Sequence, residues 1–233
     1  MVDNIKRCGM PPIVESEDFS QFVDGKTVAI VGPATTIVGS KQKDKIESFD
    51  LVVRMNKALP IPADMEIDTG SRCDLFYHCM SERPEEGGKI DEKVLVDAGV
   101  KWFCSPYPEM EIFAKDFVSF REKHANMPIP FHSIGRNLFE WLRDTTGTRP
   151  NTGMCLIADL LQSGASGIYV TGFTFFKTQY VKSYRNISDQ LMETNANHVT
   201  HKQAPQEKWF FKMVKESSVI ELDEYLNSMS GLV

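Results

Sequence analysis

Short β-branched runs that end in a glycine or polar turn, each followed by a helix-like stretch, recur along this chain, and few folds accommodate that alternation. The strand-like runs are Val28–Val31, Leu51–Met55, Asp74–Tyr77, Val100–Cys104, Ile129–His132, Ile168–Thr171 and Ser218–Glu221. Helix-like stretches fall near 41–47, 91–98, 109–124, 135–145, 153–162 and 205–216. Such βα alternation predicts an α/β fold: a single domain with a mostly parallel, doubly wound, Rossmann-like sheet and helices on both faces. A length of 233 residues suits one domain of this kind. Residues 1–25 read as an extended arm before a domain over 26–233, with loops at 59–66 and 81–89. The segment 174–204 is polar and lacks periodicity, and a connection that long in a compact domain reads as a functional lid.

Two of these units carry most of the chemistry. In the first, the apolar run Val28–Val31 ends at Gly32, as a buried parallel strand would. The loop Pro33-Ala-Thr-Thr-Ile-Val-Gly39 follows, and Ser40 is a fair N-cap for the next helix. Asn56 closes the second strand. Ligands of open α/β sheets bind beyond the carboxyl ends of the strands, where backbone N–H groups favour an anion. Thr35, Thr36, Ser40 and Asn56 add uncharged donors there. A phosphate-binding P-loop is excluded, because Gly32 and Gly39 are seven apart and Ser40-Lys41 reverses the required order. A dinucleotide fingerprint is excluded as well, since only the first of its three glycines is present. No Asp-x-Asp metal triplet occurs anywhere in the chain.

In the second unit, Pro150-Asn-Thr-Gly-Met154 precedes an apolar helical run. Asn151 or Thr152 can cap that helix, and Gly153 lets a ligand approach the backbone. Ser163-Gly-Ala-Ser-Gly167 ends the helix, Ile168–Thr171 is the next strand, and Gly172-Phe-Thr174 lies at its carboxyl end.

Together these two units resemble the eukaryotic-type sialyltransferase family. Its large motif reads roughly V-V-G-N-S-G-N-L-x-x-S, then I-D-x-H-D-x-V-x-R-M-N-x-A-P and D-V-G-S-K-T-T. This chain has Ile30-Val-Gly-Pro-Ala-Thr-Thr-Ile-Val-Gly-Ser40, Ile46-Glu-Ser-Phe-Asp-Leu-Val-Val-Arg-Met-Asn-Lys-Ala58 and Asp68-Thr-Gly-Ser-Arg-Cys-Asp74. The family's small motif, P-S-T-G-M followed by a helix and a strand ending Y-G-F, corresponds to Pro150–Met154 and Val170-Thr-Gly-Phe173. The resemblance covers about residues 26–80 and 148–215. It departs at Pro33 and Thr36, where the family usually has Asn, and the family's disulfide positions fall on Thr27/Val28 and Ser163/Gly164.

The resemblance implies a GT-A-variant sheet and an inverting, metal-independent glycosyltransferase without a cofactor. Its co-substrate would be a CMP-activated sugar, sialic acid or a related acidic sugar, and its acceptor a hydroxyl of a glycan or glycolipid. The implied donor-binding residues are Thr35, Thr36, Asn56, Asn151, Thr152, Gly153, Gly172, Phe173 and Thr174. Segment 174–204 becomes an acceptor-side lid. The family's catalytic His, followed about five residues later by Glu, corresponds to His201 with Glu207, and His198 is the alternative base. Its upstream aromatic-rich motif lands near Tyr184, a candidate phosphate contact. A neutral imidazole is the usual general base near pH 7. The pair His198/His201 could instead suggest a metal, but no carboxylate or Cys sits at helpful spacing. His78, after the third strand, is expected on the rim of the same site, while His124 and His132 read as surface or core residues. Two other readings stay open: a transferase of CMP-Kdo or another nonulosonate, and a non-catalytic nucleotide- or glycan-binding module of the same fold.

Charge and composition exclude other classes. A formal charge of −6 without a basic run makes nucleic acid a poor partner. No stretch approaches the roughly 18 apolar residues of a membrane span. Residues 1–20 are polar and unlike a signal peptide. Five scattered cysteines without a Cys-x-x-Cys pair read as reduced thiols. The expectation is a soluble cytoplasmic protein, microbial or, if viral, in the host cytoplasm.

Overall fold

The computed structural model describes residue 10, residues 17–186, residue 188 and residues 202–231. The seven strands are β1 (Thr27–Val31), β2 (Leu51–Met55), β3 (Leu75–Tyr77), β4 (Trp102–Ser105), β5 (Phe131–Ser133), β6 (Gly167–Thr171) and β7 (Ile220–Leu222). Between and around them lie helices α1 (Glu17–Val23), α2 (Lys43–Glu47), α3 (Glu66–Thr69), α4 (Glu92–Asp97), α5 (Ala114–Lys123), α6 (Arg136–Thr146), α7 (Thr152–Gln162), α8 (Gln203–Glu216) and α9 (Glu224–Ser230). Each predicted strand and helix is present, with ends shifted by a few residues.

The strands form one sheet in the order β5-β4-β3-β2-β1-β6-β7, and each pairing is parallel. From β1 the chain steps outward to β5, then crosses back to place β6 on the other side of β1. The order therefore reverses between β1 and β6, and a doubly wound sheet opens a crevice at that reversal, outside the carboxyl ends of its strands.

Alternation along β1 sorts its side chains onto the two faces. Val28 and Ile30 join the main core, whereas Ala29 and Val31 join a smaller one with Ile37, Ile46, Val52 and Tyr169. Helix α7 is buried along its whole length. Its one charged residue, Asp159, accepts hydrogen bonds from the Tyr77 hydroxyl at 2.6 Å and His132 Nε2 at 2.9 Å. The carboxylate is thus paired rather than orphaned, as burial requires.

Two local expectations are corrected. Residues 1–25 are not uniformly extended: Phe19 and Val23, four apart, are fully buried on one face of α1. Phe19 stacks on the His132 ring with centroids 3.7 Å apart. About two turns of amphipathic sequence are too short to register as a helix before their partner surface is known. Ser40 does not cap α2, which starts after Gln42 without a side-chain cap. Gly39 and Lys41 have positive φ, so the chain turns sharply there before the helix begins. Among the described residues no helix is long and apolar enough to cross a membrane.

Candidate donor site at the strand reversal

At the reversal the carboxyl ends of β1 and β6 touch through two glycines. A Cβ on Gly32 would lie 2.3 Å from the Gly172 carbonyl oxygen, and one on Gly172 would lie 2.5 Å from that of Gly32. Gly172 also has a φ of +70°, which side chains other than glycine adopt at a cost. The Phe173 ring lies over the pair: a Cβ on Gly32 would meet its Cδ2 at 2.5 Å, and one on Gly153 its Cε1 at 2.6 Å. Gly32 after β1 and Gly153 in α7 thus make room for one half-buried aromatic ring, which joins the two sequence units into a single floor. Asp223, the N-cap of α9, holds Gly172 in place by accepting from its N–H at 3.0 Å and from the Thr171 hydroxyl at 2.8 Å.

The turn after β1 is fixed from elsewhere. Asp68, nearly buried, accepts from the N–H groups of Gly39 at 2.7 Å and Lys41 at 2.9 Å. The chain beyond Asp68 is held in turn by Arg54, whose guanidinium donates to the carbonyls of Thr69, Gly70 and Arg72. Burial lowers the Arg54 pKa to about 10, so the group is still charged at neutral pH. On its other edge the turn is covered by the segment after β6, with Thr35 N–H donating to Gln179 O and Val181 N–H to Pro33 O. Inside this frame Thr36 Oγ1 and Ser40 Oγ are buried and have no hydrogen-bond partner among the described residues. Unsatisfied buried hydroxyls in a native structure call for an explanation, and a ligand is one.

Asn56 has a φ of +53° and uses both ends of its amide. Its Oδ1 accepts from Cys79 N–H at 3.0 Å, and its Nδ2 stands 3.4 Å from the buried Tyr184 hydroxyl. Two residues 128 apart in sequence, each predicted to face the ligand, therefore meet at the ends of β2 and β3. Thr174 is buried and shares a hydrogen bond with the Thr178 hydroxyl at 3.1 Å.

The expectation for His78 is not met. It is 1% exposed rather than on the rim. Its Nδ1 accepts from Met80 N–H at 3.1 Å, and its Nε2 lies 3.0 Å from Gly88 O. Burial pushes its pKa down to about 4, so the ring is neutral and braces the loop that follows β3.

At the amino end of α7, Asn151 caps the helix by accepting from Met154 N–H at 2.9 Å. Its Nδ2 donates to Gln203 Oε1 at 3.0 Å, and its N–H to Gln206 Oε1 at 2.9 Å. The Asn151 amide is thus committed to joining α7 to α8, which leaves Thr152 and Gly153 to present the helix N-terminus. His198 and His201 lie outside the described residues. The described chain resumes at Lys202, whose N–H donates to Thr148 Oγ1 at 3.1 Å. Glu207 is ion-paired with Lys177 at 2.6 Å. Among the described residues no group of three or more His, Cys, Asp or Glu side chains could hold a metal, and Cys73, Cys79, Cys104 and Cys155 are free thiols.

Solved structures share this architecture. A mammalian sialyltransferase in complex with Gal-beta-1-3GalNAc-ortho-nitrophenol superposes over 91% of this chain and 74% of its own, with a TM-score of 0.54 at 17% identity. The sialyltransferase CstII from Campylobacter jejuni, in complex with the substrate analogue CMP-3FNeuAc, matches over 87% and 88% with a TM-score of 0.53 at 16% identity. The chain has the sialyltransferase fold. A third such structure, the monofunctional alpha-2,3-sialyltransferase Cst-I from Campylobacter jejuni, covers 92% of this chain and 80% of its own, with a TM-score of 0.54 at 12% identity. No family model matches the chain, and no curated protein matches it in sequence.

Within this sialyltransferase fold, several supporting residues escaped the sequence reading: Asp68, Asp223, Gln203 and Gln206. Each acts on a partner 27 to 55 positions away. Gln203 and Gln206 carried a usable signal, since polar residues three apart at the start of an aromatic helix interrupt its apolar face.

Proposed function

We propose that this protein is an inverting, metal-independent glycosyltransferase that moves sialic acid or a related acidic sugar from a CMP-sugar to a glycan hydroxyl. The observation that carries the reading is the meeting of Asn56 and Tyr184 at 3.4 Å in a sialyltransferase fold. The solved structure of CstII with a CMP-sugar analogue supports CMP as the nucleotide.

The described residues suit distinct parts of such a donor. Phe173, lying on Gly32 and Gly153, offers an apolar face to the nucleoside. Thr36 Oγ1, the Tyr184 hydroxyl and the Asn56 amide are donors for the phosphate, and the N-terminus of α7 at Thr152 and Gly153 suits the sugar carboxylate. The acceptor oxygen attacks the anomeric carbon while the bond to the phosphate oxygen breaks, and the acceptor proton passes to a base. His201 is the proposed base, with His198 the alternative. Lys202 is anchored beside the α7 N-terminus through Thr148, which supports a base supplied from that stretch.

The test is incubation with CMP-sialic acid and a lactose-type acceptor, following CMP release and the sialylated product. Transfer that continues in excess EDTA supports the full reading. Activity restored only by Mg²⁺ or Mn²⁺ would replace the metal-free mechanism, and binding of CMP without hydrolysis or transfer would leave a non-catalytic binding module.

A further inference from the structure

The strand-end turns of the candidate donor site contribute no carboxylate of their own, Asp68 and Asp223 bracing them from elsewhere, in a protein that carries an excess of acidic residues. The chain has 32 acidic against 26 basic residues, yet residues 26–43, 51–63 and 171–186, which form the strand-end turns, contain no Asp or Glu. Two cations from those segments, Lys57 and Arg185, directly follow Asn56 and Tyr184, the pair that meets across the crevice.

Both cations are half-buried and reach the same loop after β3. Lys57 Nζ donates to Pro84 O, and Arg185 donates to Glu86 O at 2.7 Å. They are close enough to repel: the Lys57 pKa is lowered by burial first and by Arg185 second. The Arg185 charge also bears on the Tyr184 hydroxyl. Nearby carboxylates offset the two charges only in part: Glu86 is paired with Arg83 at 2.8 Å, and Glu85 acts on Lys57 against the repulsion from Arg185. Arg185 Nε is buried with no hydrogen-bond partner among the described residues. Two like charges held together, with a buried guanidinium N–H left over, favour an anion beside them.

We infer that Lys57 and Arg185 form a phosphate-recognising subsite that supplies counter-charge to the departing nucleoside monophosphate. The inference rests on the donor reading above. In transfer the bond from the anomeric carbon to the phosphate oxygen breaks with its electron pair going to that oxygen, the acceptor oxygen forms the new bond, and the acceptor proton goes to the base. The phosphate thereby changes from a diester with one negative charge to a monoester with up to two. Without a metal, that gain in charge falls on protein donors, and charged donors stabilise it more than neutral ones.

The experiment is calorimetric titration of the full chain with CMP and with cytidine, which lacks only the phosphate. Wild type should bind CMP more tightly. Lys57→Met and Arg185→Met should each weaken CMP by roughly 10-fold while cytidine changes by less than about 2-fold, and Lys57→Arg and Arg185→Lys should retain most of the difference. The CMP preference of wild type should also shrink as NaCl rises from about 0.05 to about 0.5 M, a measurement that needs no variant to fold. An unchanged CMP preference in both Met variants and across the salt range overturns the subsite and leaves the donor reading standing. Equal affinity of wild type for CMP and cytidine overturns the subsite as well. A wild type that binds neither removes the donor reading, and the subsite with it.

Discussion

The turn after β1 is held by a carboxylate from elsewhere in the chain, whereas the segment after β6 is held largely by its own aromatic side chains. Asp68 accepts two N–H groups of the first turn. In the second, Phe175 packs against Phe210 and Phe211, Phe176 against Tyr180, and Tyr180 against Tyr184. The first turn is left with buried hydroxyls facing inward, and the second with rings. A site built this way has a hydrogen-bonding wall and an apolar wall. That division puts Thr36 on one wall and the Phe173 ring on the other, with the Tyr184 hydroxyl reaching Asn56 from the ring side. It also separates what a substitution on each side should do.

The largest effect should come from the proposed base, which neither wall contains. His201→Ala should lower turnover by about 10²–10⁴-fold while CMP affinity stays close to wild type, measured by steady-state kinetics and titration. His198→Ala should cost much less. A reversal of the two would move the base to His198, and no effect from either would return the protein to the binding-module reading.

Next is the contact where the two walls meet. Gly32→Ala places a Cβ against the Gly172 backbone, which cannot yield as a side-chain tip would. The expected loss is roughly 3 kcal/mol of stability or more, read from urea melts. A loss below about 1 kcal/mol would mean that β1 and β6 part more easily than their pairing implies.

Closely comparable is the pH dependence set by His78. Its native pKa, about 4, is below its unfolded value of about 6.5. The unfolded chain therefore takes up the proton first as pH falls. Its stabilising contribution is present above about pH 6.5 and is lost between there and about pH 4, on the order of 3 kcal/mol in all. Denaturant melts of wild type and His78→Gln across that range should show a shallower slope for the variant. Parallel slopes would place His78 in contact with water, contrary to its burial.

The smallest effect tests the polar wall alone. Thr36→Val keeps the shape and removes a buried hydroxyl that lacks a partner. CMP affinity should fall by roughly 5-fold, and stability should stay level or rise slightly, because no protein hydrogen bond is lost. A drop in stability without a change in CMP affinity would assign the hydroxyl to the fold instead of the ligand.

Local pattern was enough to read the seven strands, the long helices and the glycine turns, because strand burial and helix periodicity are written in neighbouring residues. The resemblance to the sialyltransferase motifs was enough to nominate Asn56, Tyr184, Gly172 and Phe173 as site residues. Tertiary structure alone decided that β6 lies beside β1, and hence that Phe173 rests on Gly32 and Gly153 and that Tyr184 reaches Asn56. It also turned His78 inward to brace a loop, committed Asn151 to α8, and made α1 a helix by giving Phe19 the His132 ring to cover. The physical reason is the same throughout. Propensity and periodicity act over a few residues, but a buried polar group or a ring finds its partner wherever the sheet order brings one, and that order is set by the packing of the whole chain.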